Sequence, residues 1–331
     1  MTYGCDEVRN KCRAHFFLVG LLLFFSSLVQ AKPLAVSADT ESITLELMSE
    51  FQSPIRVYAV PAYRQLDQTK KPLYQGETST IRIERKHAGA DLLYQRFYVI
   101  DAQGNKVAGP VWVHDTRKLP KLTHEMPWPN QIKGVSNPED FDDLVALGVK
   151  HVHVNFILST LLLPEQAPDP PTSFIRQVNG HTIRFNPQTI RAWDQKLKRM
   201  TDDGINVVAV LLNRLPDHGS KDSLLVHPDT DIAGAPHKLG AFNLDSDQAI
   251  AAYTGAVGFL AERYSRLDKR FGWIGGYIVG NEVDSHWVWH NMGPADLEKV
   301  ADHYIQEVRL AWLAIREQAK SPRVFVSLTH S

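Results

Sequence analysis

The chain of 331 residues holds 2 cysteines, Cys5 and Cys12, and both precede the first long apolar run. If that leader is removed no thiol remains, so the folded part needs no disulfide and thiol chemistry is excluded there. Charge of one sign is also scarce. The net charge is −1 and no basic stripe stands out, which makes nucleic acid a poor partner. No glycine-rich phosphate loop follows the first strand of the alternating region, which argues against a nucleotide cofactor. The most apolar run, residues 16–31 (FFLVGLLLFFSSLVQA), falls short of the ~20 residues of a comfortable membrane span.

Arg9, Lys11 and Arg13 precede that run, and Val29 and Ala31 fit the small-residue rule for cleavage after Ala31. Residues 1–31 therefore read as a signal peptide. The mature protein is expected to be secreted or periplasmic with no stable membrane span; an uncleaved anchor is the alternative. The apolar and charged fractions, 44% and 22%, are those of an ordinary globular protein.

Residues 32–118 read as a small all-β, sandwich-like domain. Stretches 42–48, 55–60, 80–83 and 94–100 are rich in β-branched and aromatic residues, and 101–105 (DAQGN) reads as the turn of a hairpin running into 106–113. Residues 119–130 are proline-punctuated and read as a linker. From 131 to 331 short apolar runs alternate with helical patterns: strands at 133–135, 149–158, 205–212, 273–279 and 323–328, helices opening at Asn137-Pro138 and Asn186-Pro187 and spanning 247–271 and 294–320. About five strands and four helices in strict alternation predict an α/β fold, an incomplete (β/α)8 TIM barrel. In a barrel the strand ends that carry Asn155, Asn213-Arg214, Asn281-Glu282 and Thr329-His330 converge on one face.

The segment 276–293 (GYIVGNEVDSHWVWHNMG) carries the chemistry. An apolar strand stops at Asn281-Glu282, and two tryptophans and two histidines follow. A carboxyl half-buried among aromatic rings resists ionisation, so Glu282 can hold a proton and deliver it to a leaving oxygen. Asn281 can grip a hydroxyl with both donor and acceptor. Trp287 and Trp289 offer flat apolar faces on which sugar rings rest. Gly280-Asn281-Glu282 after a fourth strand resembles the Asn-Glu signature of the large clan of retaining (β/α)8 glycoside hydrolases. The longer segment, with the β-rich region before it, is similar to a poorly characterised family of secreted bacterial glycosidase-like proteins. The resemblance implies Glu282 as acid/base, Asn281 as ligand of a 2-hydroxyl, and hydrolysis of O-glycosidic bonds in a poly- or oligosaccharide by double displacement.

His286, Asn155, Asn213, Arg214 and His330 are further candidates for substrate contact, although Asn155, Asn213 and Arg214 fit loop capping as well. The loop over 215–243 is long enough to wall a cleft. No cofactor and no metal are called for. The spacing of His286 and His290 keeps a metal-dependent hydrolase open as an alternative, and a non-catalytic carbohydrate-binding protein is another. Retaining cleavage also needs a nucleophilic carboxylate ~5–5.5 Å from the acid/base. The resemblance puts it at the end of a seventh strand. The glutamates after Glu282, namely Glu298, Glu307 and Glu317, fall in the last helical pattern instead. The expectation is an inactive fragment of such an enzyme, with open sheet edges.

Overall fold

The structure, a computed structural model, describes residues 34–48, 51–122, 124–125, 128–216 and 223–329. The expected signal peptide and His330 lie outside the described residues.

Strand alternation builds the first part. β1 (Leu34–Ala38) and β2 (Ser42–Leu47) bury Leu34, Val36, Ile43 and Leu45, since successive side chains point to opposite faces. β3 (Ile55–Val60), β4 (Tyr74–Gly76) and β5 (Thr80–Glu84) follow, then the short β6 (Lys86–His87) and β7 (Ala90–Asp91), then β8 (Arg96–Ile100) and β9 (Lys106–Trp112). They form two antiparallel sheets, ordered β1-β2-β5 and β4-β3-β8-β9, and a small β6-β7 hairpin. The turn at 101–105 joins β8 to β9, held by Asp101, whose Oδ1 accepts from the N–H of Gln103 and of Asn105. The strand expected from residue 94 begins instead at Arg96, because Leu92–Tyr94 form a 3-10 turn whose end is capped by the Asp91 carboxylate.

The second part is α/β. Its elements are β10 (Gly134–Ser136), α1 (Phe141–Ala146), β11 (His151–Ile157), the single turn α2 (Leu158–Leu161), the hairpin β12 (Ile175–Val178) and β13 (His181–Arg184), α3 (Pro187–Asp202), β14 (Asn206–Leu212), α4 (Asp247–Arg263), β15 (Ile274–Val279), the single turn α5 (His286–Trp289), α6 (Leu297–Arg316) and β16 (Val324–Val326). Strands β10-β11-β14-β15-β16 make one parallel five-stranded sheet in chain order. Among the described residues it is open, and β10 and β16 are its edges.

Two sequence expectations need correction. The helix expected to open at Asn137-Pro138 starts at Phe141, because Asp140 accepts from the N–H of Asp142 and Asp143 while Asn137 takes a left-handed φ of 44°. The alternation is also not strict, since α2 and the β12-β13 hairpin are inserted between β11 and α3. The second helix starts as its Asn-Pro pair dictates: the Asn186 side chain accepts from Gln188 and Thr189, and Pro187 occupies the first turn.

β14 is buried along its whole length, as a strand covered on both faces should be. On one face Val207, Ala209 and Leu211 join the helix-packed core, while Val208, Val210 and Leu212 pack with Ile278 on the other. Exposed apolar side chains gather at the edges: Val135 on β10, and Phe325, Val326 and Leu328 at β16. Both parts of the fold share one core. Buried Arg85 pairs with Asp91 and with Glu317 beyond the end of α6, each at 2.6 Å. Tyr94 donates to the other Glu317 oxygen at 2.9 Å. Among the described residues no helix is long and apolar enough to cross a membrane.

Candidate functional site

The C-terminal ends of β14, β15 and β16 lie side by side, and Glu282 is built on that rim. Gly280 leaves β15 at a φ of 68°, and Glu282 itself adopts a left-handed φ of 44°. That region is sterically costly for a residue with a Cβ. Ser327, just past β16, holds the turn. Its hydroxyl accepts from the Glu282 N–H at 3.3 Å and donates to Asn281 Oδ1 at 3.4 Å, and its carbonyl accepts from the Val283 N–H at 3.2 Å. Asp284 fastens the next residue pair: it accepts from the Thr329 N–H at 2.8 Å and from the Thr329 hydroxyl. These two bonds hold the Asp284 carboxyl below its ordinary range. Glu282 and Asn281 are both half-buried, and the Glu282 carboxylate caps no backbone N–H of the following turn.

The aromatic segment packs against the long loop. Trp289 stacks on His237, with ring centroids 4.2 Å apart and planes 14° off parallel. Trp287, 39% exposed, has a ring atom 3.2 Å from where a Cβ on Gly234 would sit. The buried Asn291 joins loop and segment. Its Oδ1 accepts from the N–H of Asp231 and Gly293, its Nδ2 donates to the Trp287 carbonyl, and its own carbonyl accepts from Ala241 and from the Thr230 hydroxyl. Gly293 is required here, since a Cβ would fall 2.0 Å from the Asp229 carbonyl oxygen.

Beneath the rim lies a polar cluster that the sequence did not announce. Glu307 of α6 is fully buried. One of its oxygens accepts from the Phe242 N–H at 2.8 Å and lies 3.2 Å from His303 Nε2; the other lies 3.1 Å from His290 Nε2, without the alignment of a hydrogen bond. Burial alone would raise this carboxyl, but His290 and then His303 outweigh it and hold it at about 2. His303, which desolvation would lower, is raised by Glu307. His227 meets His303 edge to face at 4.7 Å, and burial together with that neighbour lowers it to about 4. Tyr304 packs on His290 and donates to the Val279 carbonyl at 2.6 Å, tying α6 to the end of β15.

The remaining candidates are dispersed. Asn213 is buried and donates to the carbonyls of Leu225 and Ala241, so its amide anchors the long loop, the capping alternative. Arg214 is exposed, and its backbone meets the Ser159 hydroxyl. Asn155 is exposed inside β11, opposite Val210, rather than at the strand tip. His286 opens the α5 turn, and burial and then His290 lower it. Among the described residues no group of three His, Cys, Asp or Glu side chains is arranged to hold a metal ion. His151 and His153, on one face of β11, line an open cavity of about 790 Å³ with Trp128, Val208, Ile278 and Phe325, and Glu282 is not in its wall.

Sequence reasoning missed Ser327, Asn291, His237 and the burial of Glu307. Ser327 had a signal, the polar residue that ends an apolar run. Asn291 and His237 had none, because their roles depend on how the loop returns.

A profile of a family of unknown function (DUF5722) matches residues 125–331. No curated protein matches the sequence. A solved structure of pullulanase type I from Bacillus subtilis str. 168, complexed with maltose, is similar at 10% identity and a TM-score of 0.21, over 84% of this chain and 45% of that one. The chain thus spans less than half of that protein, and the likeness is too low to carry an argument.

Proposed function

The chain belongs to the DUF5722 family of unknown function, and we propose from its own residues that the rim is a carbohydrate site of the retaining glycoside hydrolase type. One observation carries the reading. Glu282 stands at the tip of the fourth of five parallel strands that follow in chain order, in a costly left-handed conformation fixed by the neighbouring strand. Strain of this kind gathers where a side chain must be aimed, and the carboxyl ends of parallel strands are where such folds bind ligands.

In this reading the sheet is part of a (β/α)8 lineage. Glu282 protonates the departing glycosidic oxygen, and Asn281, oriented by Ser327, takes a sugar hydroxyl. The exposed Trp287 supplies a stacking plane. None of the three glutamates after Glu282 is available as nucleophile: Glu307 is buried, Glu317 is bound to Arg85 and Tyr94, and Glu298 sits in the first turn of α6.

The test uses 4-methylumbelliferyl glycosides with and without sodium azide. Azide takes the role of a nucleophilic carboxylate at the anomeric carbon, the bond to the aryl oxygen breaks, and Glu282 gives that oxygen its proton. Release that needs azide and is lost in Glu282→Gln is expected. Release without azide would show that a carboxylate of this chain serves as nucleophile, and azide-dependent release unchanged in Glu282→Gln would refute the role of Glu282.

A further inference from the structure

The two tryptophans that follow Glu282 differ in what covers them. Trp287 approaches Gly234 and is 39% exposed. Trp289 is already covered: the His237 imidazole lies parallel to it at a centroid distance of 4.2 Å. His237 is itself exposed, and no hydrogen bond of its ring is found among the described residues. A solvent-facing imidazole on an indole therefore does not belong to a packed core. It occupies the surface on which a planar or ring-shaped ligand would stack.

The backbone around it is set for this placement. Lys238, the next residue, holds a left-handed φ of 51°. Its Nζ donates to the carbonyls of Ile232 at 2.7 Å and Ala233 at 3.2 Å, which closes residues 232–238 into a ring. Its carbonyl accepts from the Leu215 N–H, so the ring is tied to the chain leaving β14. Its other side is tied by Asp231 to Asn291. The ring is thus anchored at both ends, with His237 at its edge and, among the described residues, a stack on Trp289 as the contact of its side chain.

We propose that His237 is a gate on a second sugar-stacking plane: it masks Trp289 in the free protein and swings aside when a saccharide ring stacks there. This rests on the carbohydrate reading of the rim.

The test titrates the full chain by calorimetry with maltohexaose, cellohexaose, xylohexaose and laminarihexaose. For a hexasaccharide that binds, His237→Ala should tighten binding about threefold to tenfold, the worth of one aromatic stack. In a Trp289→Ala background the same change should have no effect, which a merely structural histidine would not reproduce. In carbon–proton correlation spectra the His237 ring signals, displaced by the indole in the free protein, should move on saturation to the positions of a free imidazole. Binding heat with unmoved His237 signals, or with unchanged affinity in His237→Ala, would overturn the gate and leave the carbohydrate reading standing. No heat with any of the four sugars would sink that reading and the gate with it.

Discussion

Nε2 of His290 stands 3.1 Å from Oε2 of Glu307, and neither side chain is more than 2% exposed. A carboxylate so placed is held ionised by its two histidines and by the Phe242 N–H. Removing it leaves the buried Phe242 N–H without its acceptor and the two histidines without the carboxylate they face, which costs about 1–3 kcal/mol for each group left unsatisfied. Glu307→Ala is therefore expected to lose that much stability in urea unfolding. Glu307→Gln, which can still accept from the Phe242 N–H, should lose less.

The same cluster sets an acid limb of stability. His227 has a folded value of about 4 against an ordinary 6.5, so between these pH values the unfolded chain binds more protons than the folded one. Stability must then fall as pH drops from 6.5 towards 4, by roughly 3 kcal/mol at about 1.4 kcal/mol per pH unit. His303 acts the other way. Its folded value is raised, so its contribution is complete below 6.5 and is lost as pH rises through that raised value. A thermal-unfolding profile against pH should flatten on its acid side in His227→Asn, whose amide can replace the acceptor that His227 presents to the Asp229 N–H.

Asn291 carries the loop that walls the aromatic segment. Asn291→Ala removes one acceptor shared by two backbone N–H groups and one donor to the Trp287 carbonyl, all at a buried site. Leaving such groups without partners costs about 2–4 kcal/mol. Faster protease nicking within 223–243 and a changed tryptophan emission are expected before global unfolding. Nicking at the wild-type rate would show that the loop is held by other contacts.

The sheet was legible because its signals are local. The seven residues of β14 are β-branched or aliphatic apart from Asn206, and the Asn186-Pro187 cap fixes where α3 starts. Asn137-Pro138 misled for a local reason as well, since Asp140 competes for the same donors and stands closer to the helix. The candidate site was legible only where a polar residue ends an apolar run, as at Asn281-Glu282. The partners that hold it were not. Ser327 is 45 residues from Glu282, and His303 and Glu307 meet Phe242 across 61 and 65 residues of intervening chain. Pairings of that range follow from topology, not from spacing.

Glu282 itself gives the sharpest prediction. Its φ of 44° costs a residue with a Cβ about 1 kcal/mol, and its carboxylate returns no capping bond to the turn. If the side chain is there for chemistry, the fold is better off without it. Glu282→Asn and Glu282→Gly suit the left-handed conformation and should raise stability by about 0.5–1 kcal/mol in urea unfolding, while azide-dependent release disappears. The Gln variant keeps the strain and should lose the activity without the gain. If Asn and Gly at this position destabilise the protein instead, the glutamate is holding the rim together, and its place at the strand tip is structural.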